Sequence, residues 1–161
     1  MQHTASYASP AGNILIAATE KGLCGLWFEN QKYWASTLGS CREDKEDPVL
    51  KETLRWLDIY FKKAIPDFTP PLDMIGTPFQ VRIWEELLTV PYGQTASYKD
   101  IADRVMCTSY RAVAQAIARN PISIIVPCHR IIKADGSLSS YAGGPERKKQ
   151  LLQLENPFSG I

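Results

Sequence analysis

The sequence predicts an α+β protein in two parts: a small N-terminal domain of β-sheet plus one helix, and a mostly helical C-terminal domain with a helix-turn-helix. Three observations carry this. Apolar runs broken by turn residues fill the chain up to Phe28, which is strand patterning. A stretch from Ala64 to Pro78 holds four prolines and cannot be one long helix. Beyond it the apolar spacing becomes helical and the helices are short. The boundary is placed near Asp73, giving domains 1–73 and 74–161.

Each element has its own signal. Residues 3–8 alternate moderately. Pro10, Gly12 and Asn13 then form a turn. Residues 14–19 and 23–28 are apolar strands joined by Glu20-Lys21-Gly22, so an antiparallel meander is expected. Residues 31–47 are mixed and polar, and the charge run that closes them reads as a solvated loop. From Pro48, Val49, Leu50, Leu54, Leu57, Tyr60 and Phe61 form one apolar helical stripe. Thr77 can cap a helix that starts at Pro78 and buries Phe79, Ile83, Trp84, Leu87 and Leu88; Pro91-Tyr92-Gly93 stops it. Ser97 caps a helix from Tyr98 to about Val105, and another runs from Tyr110 to Ala118, ended by Asn120-Pro121. The run Ile122 to Val126 leads into Pro127-Cys128-His129-Arg130 and a short strand from Ile131. Glu146 to Leu154 is an amphipathic last helix, with Leu151, Leu152 and Leu154 inward.

The 161 residues are 45% apolar and 22% charged, which excludes disorder and a disulfide scaffold. No run approaches the roughly 18 apolar residues of a membrane span. The first residues lack a basic and an apolar segment, so a cytoplasmic protein is expected. The net charge of +1 conceals an asymmetry. Residues 1–76 carry 8 basic and 10 acidic residues, and residues 77–161 carry 10 and 7, a weak lean toward a polyanion. Cys24, Cys41, Cys107 and Cys128 show no CxxC spacing, and His3, Cys24 and Cys41 match no zinc signature, so no metal and no cofactor are expected.

Three features offer chemistry. Residues 97–118 fit a helix-turn-helix, although paired core helices look the same. In the second helix Arg111 sits among Ala112, Ala114 and Ala116, which suits close approach to a groove or tight protein packing equally. Cys128 ends an apolar run, where most cysteines are inert, but His129 and Arg130 follow it at once. Neighbours on a strand point to opposite faces, so the backbone must turn, or a water must relay the proton, if His129 is to serve Cys128. Gly143-Gly144 after Tyr141 suggests a loop lying close to a ligand, or an ordinary surface turn.

The order of these features resembles the O6-alkylguanine-DNA alkyltransferases, the methylated-DNA–protein-cysteine methyltransferases. The resemblance rests on Asn120-Pro121, Pro127-Cys128-His129-Arg130, Tyr141-Ala142-Gly143-Gly144 and Glu146-Arg147-Lys148. It extends upstream to Gly76-Thr77-Pro78-Phe79-Gln80, Val90-Pro91-Tyr92-Gly93, Ser97-Tyr98 and Arg111-Ala112-Val113. It is dense over residues 76–155; the first 73 residues match only in pattern. The resemblance implies a DNA repair protein that moves the alkyl group from O6 of guanine in duplex DNA onto its own cysteine, once per molecule. It implies helix-turn-helix binding in the minor groove with the base flipped out. O4-alkylthymine stays open as a second substrate. A monomer is expected, with cooperativity along DNA open. Residues 1–73 would support the domain that binds DNA and transfers the alkyl group.

By the same resemblance Cys128 is the nucleophile, and His129 takes its proton through a water. Glu155 holds that histidine, Tyr98 donates a proton as guanine leaves, and Asn120 braces the active-site turn. Arg111 enters the duplex in place of the flipped nucleotide, with Ser109, Tyr110, Ala112, Ala114 and Arg130 as further DNA contacts. Tyr141, Ala142, Gly143, Ile117 and Ile131 surround the base, and the Cys128 and Ile131 carbonyls accept from its exocyclic amine. One departure bears on substrates. Ser140 stands where the family often has glycine before the loop tyrosine, so Ser139-Ser140 is expected to narrow the pocket against bulky adducts. Two rival readings remain. A cysteine hydrolase would use Cys128 and His129 but would turn over. A binding module would sense alkylated DNA with little transfer, and Cys128 argues against it.

Overall fold

A computed structural model describes residues 1–158. The last three residues of the expected C-terminal domain, Ser159 to Ile161, lie outside the described residues. Strands β1 (Gln2–Ser9), β2 (Gly12–Ala18) and β3 (Leu23–Phe28) form the expected antiparallel meander. The charge run holds a strand that its sequence conceals: β4 (Cys41–Glu43) pairs parallel to β1 and completes the order β3-β2-β1-β4. All three of its residues are exposed, so pairing through the backbone leaves no apolar signature. Helix α1 (Pro48–Phe61) is capped by Asp47, which also meets the His3 ring at 2.8 Å. Its stripe of Leu50, Trp56, Leu57 and Tyr60 is buried in the core beside the sheet.

The second half begins with α2 (Pro78–Leu87), whose Thr77–Gln80 capping box satisfies two helix-end donors reciprocally. Strand β5 (Ala96–Ser97) leads into α3 (Tyr98–Arg104), capped in the same way by Ser97 and Asp100. A turn containing Met106 at φ 53° connects to α4 (Tyr110–Ala118), capped by Ser109. Trp84 on α2 donates from its indole to the Ala116 carbonyl at 2.8 Å, fixing α4 against α2. A single 3-10 turn (Cys128–Arg130) precedes β6 (Ile131–Ile132), which pairs parallel with β5. Helix α5 (Pro145–Glu155) closes the described fold.

The two halves share one apolar core. The outer edge of β3 is covered rather than left open. Leu23 bonds Pro71 and Asp73, while Leu26 bonds Pro121 and Ser123. The sheet thereby holds the segment that leads into Cys128. Among the described residues no helix is long and apolar enough to cross a membrane.

Candidate active site

The run before Cys128 is a turn rather than a strand. Ile124 sits at φ +69°, a strained conformation for a β-branched residue, and Ile125 and Val126 bond back to Ser123 and Ile122. Asn120 holds this turn in place. Its amide donates to the Val126 carbonyl at 2.8 Å and the Ile122 carbonyl at 3.3 Å, and its oxygen accepts from the Ile122 N–H at 3.0 Å. The chain then enters the 3-10 turn, with the Arg130 N–H on the Pro127 carbonyl at 3.0 Å. The alternation that would separate Cys128 from His129 on a strand therefore does not apply.

His129 is fully buried. Its Nε2 lies 2.6 Å from Glu155 Oε2, which accepts that proton and leaves the lone pair on Nδ1. Nδ1 is buried with no hydrogen-bond partner. Burial pulls the imidazole below its ordinary pKa, against the opposing pull of Glu155, so the ring rests neutral. Burial likewise pushes the Cys128 thiol up, although Asn120 and Lys148 counter it. Both partners are uncharged at rest, and the nitrogen able to take a proton is the free one.

Glu155 is the hub of the buried network. It also accepts from the Tyr60 hydroxyl at 2.6 Å, Arg130 Nε at 2.7 Å and the Gly93 N–H at 3.1 Å. Burial alone would raise its pKa, but His129 and Arg130 hold it well below the usual carboxylate range. Arg130 belongs to this network and not to a DNA-facing surface, which corrects the expectation for it. Its guanidinium is turned inward onto Glu155 and the Val90 carbonyl, at 2.8 Å for the latter, and the residue is only 8% exposed. A buried carboxylate needs a cation more than the surface does.

Over the thiol lies a small cavity of about 30 Å³, lined by Cys128, Tyr98, Ile117, Ala114, Ser140, Tyr141 and Ala142. That is room for one or two waters. Gly143 sits behind the wall at residues 140–142. A side chain there would meet the Tyr141 ring at 2.6 Å and the Phe28 ring at 3.3 Å. Gly144 follows at φ +94°, which glycine adopts freely, and turns the chain into α5. Ile131 is fully buried and does not line the cavity, and its carbonyl accepts from Lys148 Nζ and Ser139 Oγ.

Ser109, Tyr110 and Arg111 are exposed at the start of α4, with Ala112 and Ala114 half-buried along the same helix. This end of α4 carries no acidic residue in its first turn. Two residues beneath the site escaped sequence reasoning, Lys148 and Tyr60. Lys148 carried a signal, because it shares the α5 face of Leu151, Leu152 and Glu155. Among the described residues no group of three His, Cys, Asp or Glu side chains is placed to hold a metal ion.

Comparison with known proteins agrees with this geometry. Residues 78–157 match the 6-O-methylguanine DNA methyltransferase DNA-binding domain, and residues 3–74 match the ribonuclease-like domain of the same proteins. The chain is 44% identical to a methylated-DNA–protein-cysteine methyltransferase of Mycobacterium leprae, over 96% of this chain and 93% of that one. It is 43% identical to the protein of that name from Methanosarcina barkeri, over 91% and 92%. A crystal structure of Mycobacterium tuberculosis OGT in complex with DNA superposes with a TM-score of 0.87 at 38% identity, covering 96% of this chain and 93% of that one. With both of its halves matched and a buried His129–Glu155 pair beginning at the residue after Cys128, the chain belongs to the 6-O-methylguanine DNA methyltransferase family.

Proposed function

We propose that this protein repairs alkylated duplex DNA by moving the alkyl group from O6 of guanine to Cys128, once per molecule. The observation that carries the reading is a buried thiol beneath a small cavity, followed in the same turn by a neutral histidine whose Nδ1 has no hydrogen-bond partner. In the step itself the Cys128 proton passes through one water to His129 Nδ1. The S–C bond forms as the C–O6 bond breaks. The electron pair of that bond stays with guanine, and Tyr98 at the pocket wall donates a proton to the ring. A neutral guanine leaves far more readily than an anion. Glu155 stabilises the imidazolium that forms, as the carboxylate of a catalytic triad does. The thioether is stable, so the cysteine is consumed. No cofactor is needed for this balance.

DNA is engaged by the α3–α4 pair in the minor groove, with Arg111 filling the place of the flipped nucleotide. Its planar cation can stack and hydrogen-bond to the orphan base. Exposure of Ser109, Tyr110 and Arg111 supports this, as does the likeness to a protein described in complex with DNA. The test is Cys128→Ser. This variant is expected to bind duplex containing O6-methylguanine with unchanged affinity and to leave the methyl group in place. Demethylation by Cys128→Ser would overturn the assignment. A sensor without transfer activity predicts that the native protein also leaves the DNA unrepaired.

A further inference from the structure

The pocket over Cys128 is walled on one side by α4, through Ala114, Ile117 and Ala118. Tyr110 opens the same helix, four residues before Ala114. At about 100° per residue, the mean direction of the three lining residues lies about 33° from Tyr110 and about 67° from Arg111. Tyr110 therefore belongs to the pocket-facing stripe, about 6 Å along the helix axis from Ala114. It is not among the cavity's lining residues, and helical side chains lean toward the N-terminus, so the ring stands outside the mouth. It is 49% exposed, and among the described residues no hydrogen bond or ring contact holds it. The backbone beneath it is fixed, because Ser109 Oγ accepts from the Ala112 N–H at 3.2 Å and caps the helix. Across the mouth stands the start of α3, where Tyr98 lines the pocket and Lys99 follows it. Asp103 and then Tyr110 raise the Lys99 pKa, so Tyr110 lies within electrostatic reach of α3. Between the ring and the cavity Ala114 presents only a methyl group, which leaves a planar group room to pass.

We propose that the Tyr110 ring is a stacking platform at the mouth of the pocket, on which the flipped alkylguanine rests on its way to Cys128. The inference rests on the reading that the guanine leaves the duplex to react. A base that swings out loses its stacking neighbours in the duplex, and an aromatic side chain replaces one of them through the π-face that every base carries. Arg111 and Tyr110 then divide the task on neighbouring faces of one helix. The cation fills the gap in the duplex, and the ring holds the base that has left it. Tyr110 makes and breaks no bond. It raises the fraction of extrahelical base, and with it the rate of transfer, while the chemistry at the thiol is unchanged.

The experiment measures the maximal single-turnover rate, at saturating protein, from duplex in which O6-methylguanine faces cytosine. The proteins are the native chain, Tyr110→Ala, Tyr110→Leu and Tyr110→Phe. Two further readouts accompany it: affinity for unmodified duplex of the same sequence, and methylation of Cys128 by methyl iodide, located by peptide mapping. Tyr110→Ala is expected to slow transfer about tenfold, toward the low end of what one base–aromatic stack contributes. Tyr110→Leu should be as slow, because it is apolar but has no π-face. Tyr110→Phe should keep the native rate, because the ring acts and the hydroxyl does not. Affinity for unmodified duplex and the methyl iodide reaction should stay as in the native protein throughout. Native-rate transfer by Tyr110→Ala would overturn the platform and leave Cys128 as the acceptor. Slow transfer by Tyr110→Phe would assign the effect to the hydroxyl, and equal losses of transfer and of unmodified-duplex affinity would reduce Tyr110 to a groove contact; either result overturns the platform. A native protein that adds no methyl group to Cys128 would overturn the repair reading itself, and the platform with it.

Discussion

Replacing Glu155 with glutamine tests the buried network at its centre. The change keeps the shape and removes the charge. Arg130 is then left buried without its counter-ion, and the side-chain nitrogen can no longer accept from Tyr60 or His129. Removing one member of a buried ion pair costs about 3–5 kcal/mol. One oxygen remains to serve Arg130 and Gly93, so the lower end, about 3 kcal/mol, is expected. For a chain of this size that lowers Tm by about 6–12 °C. The sign of the pH dependence follows from the two depressed pKa values. The stability from the Glu155 charge is complete above the unfolded carboxyl value near 4.3 and declines as pH falls toward its lower folded value. His129 acts in the same direction, since a ring held neutral in the fold loses stability as pH drops through its unfolded value near 6.5. The gap between native protein and variant should therefore narrow below about pH 4. The amide can also donate to Nε2 and move the ring proton to Nδ1, which removes the base. Transfer should fall by about 10²- to 10⁴-fold, as when a triad carboxylate becomes an amide. Thermal denaturation between pH 3 and 8 and single-turnover transfer are the assays. A Tm within about 2 °C of the native value, or unchanged transfer, would refute the reasoning.

Other consequences are as direct. Asn120→Ala leaves the Ile122 N–H unpaired in the interior, while the Val126 carbonyl keeps the Cys128 N–H, and should cost about 1–3 kcal/mol by chemical denaturation. Arg111→Ala should weaken transfer from fully paired duplex more than from a substrate whose alkylguanine is already extrahelical; equal losses on the two would dismiss its role in flipping. Transfer from O6-benzylguanine should be slower than from O6-methylguanine, because Ser140 forms part of a tight pocket wall. Comparable rates, measured under single-turnover conditions, would refute that.

Much of the fold was legible because local signals agree with tertiary packing. Thr77 and Ser97 each announce a helix and each caps one. Strand β4 was not legible, since its three exposed residues pair through backbone groups alone. The run Ile122 to Val126 gave no period, because it is buried on every side and folded into a turn by Asn120. At the site, the cysteine, histidine and glutamate could be named from the family pattern, but their neighbours' roles depend on partners distant in sequence. Arg130 reads as a surface cation until Glu155 is placed beside it. Lys148 reads as one of four charged residues in a row, and only the fold puts its ammonium under Ser139 and Tyr98.

The most direct test of the account is the intact mass of the protein after incubation with excess duplex carrying O6-methylguanine, followed by peptide mapping. The account predicts one added methyl group per molecule, located on Cys128 and absent from Cys24, Cys41 and Cys107, with one guanine restored for each protein consumed. Repaired DNA with no added mass, or a methyl group on another cysteine, would contradict it.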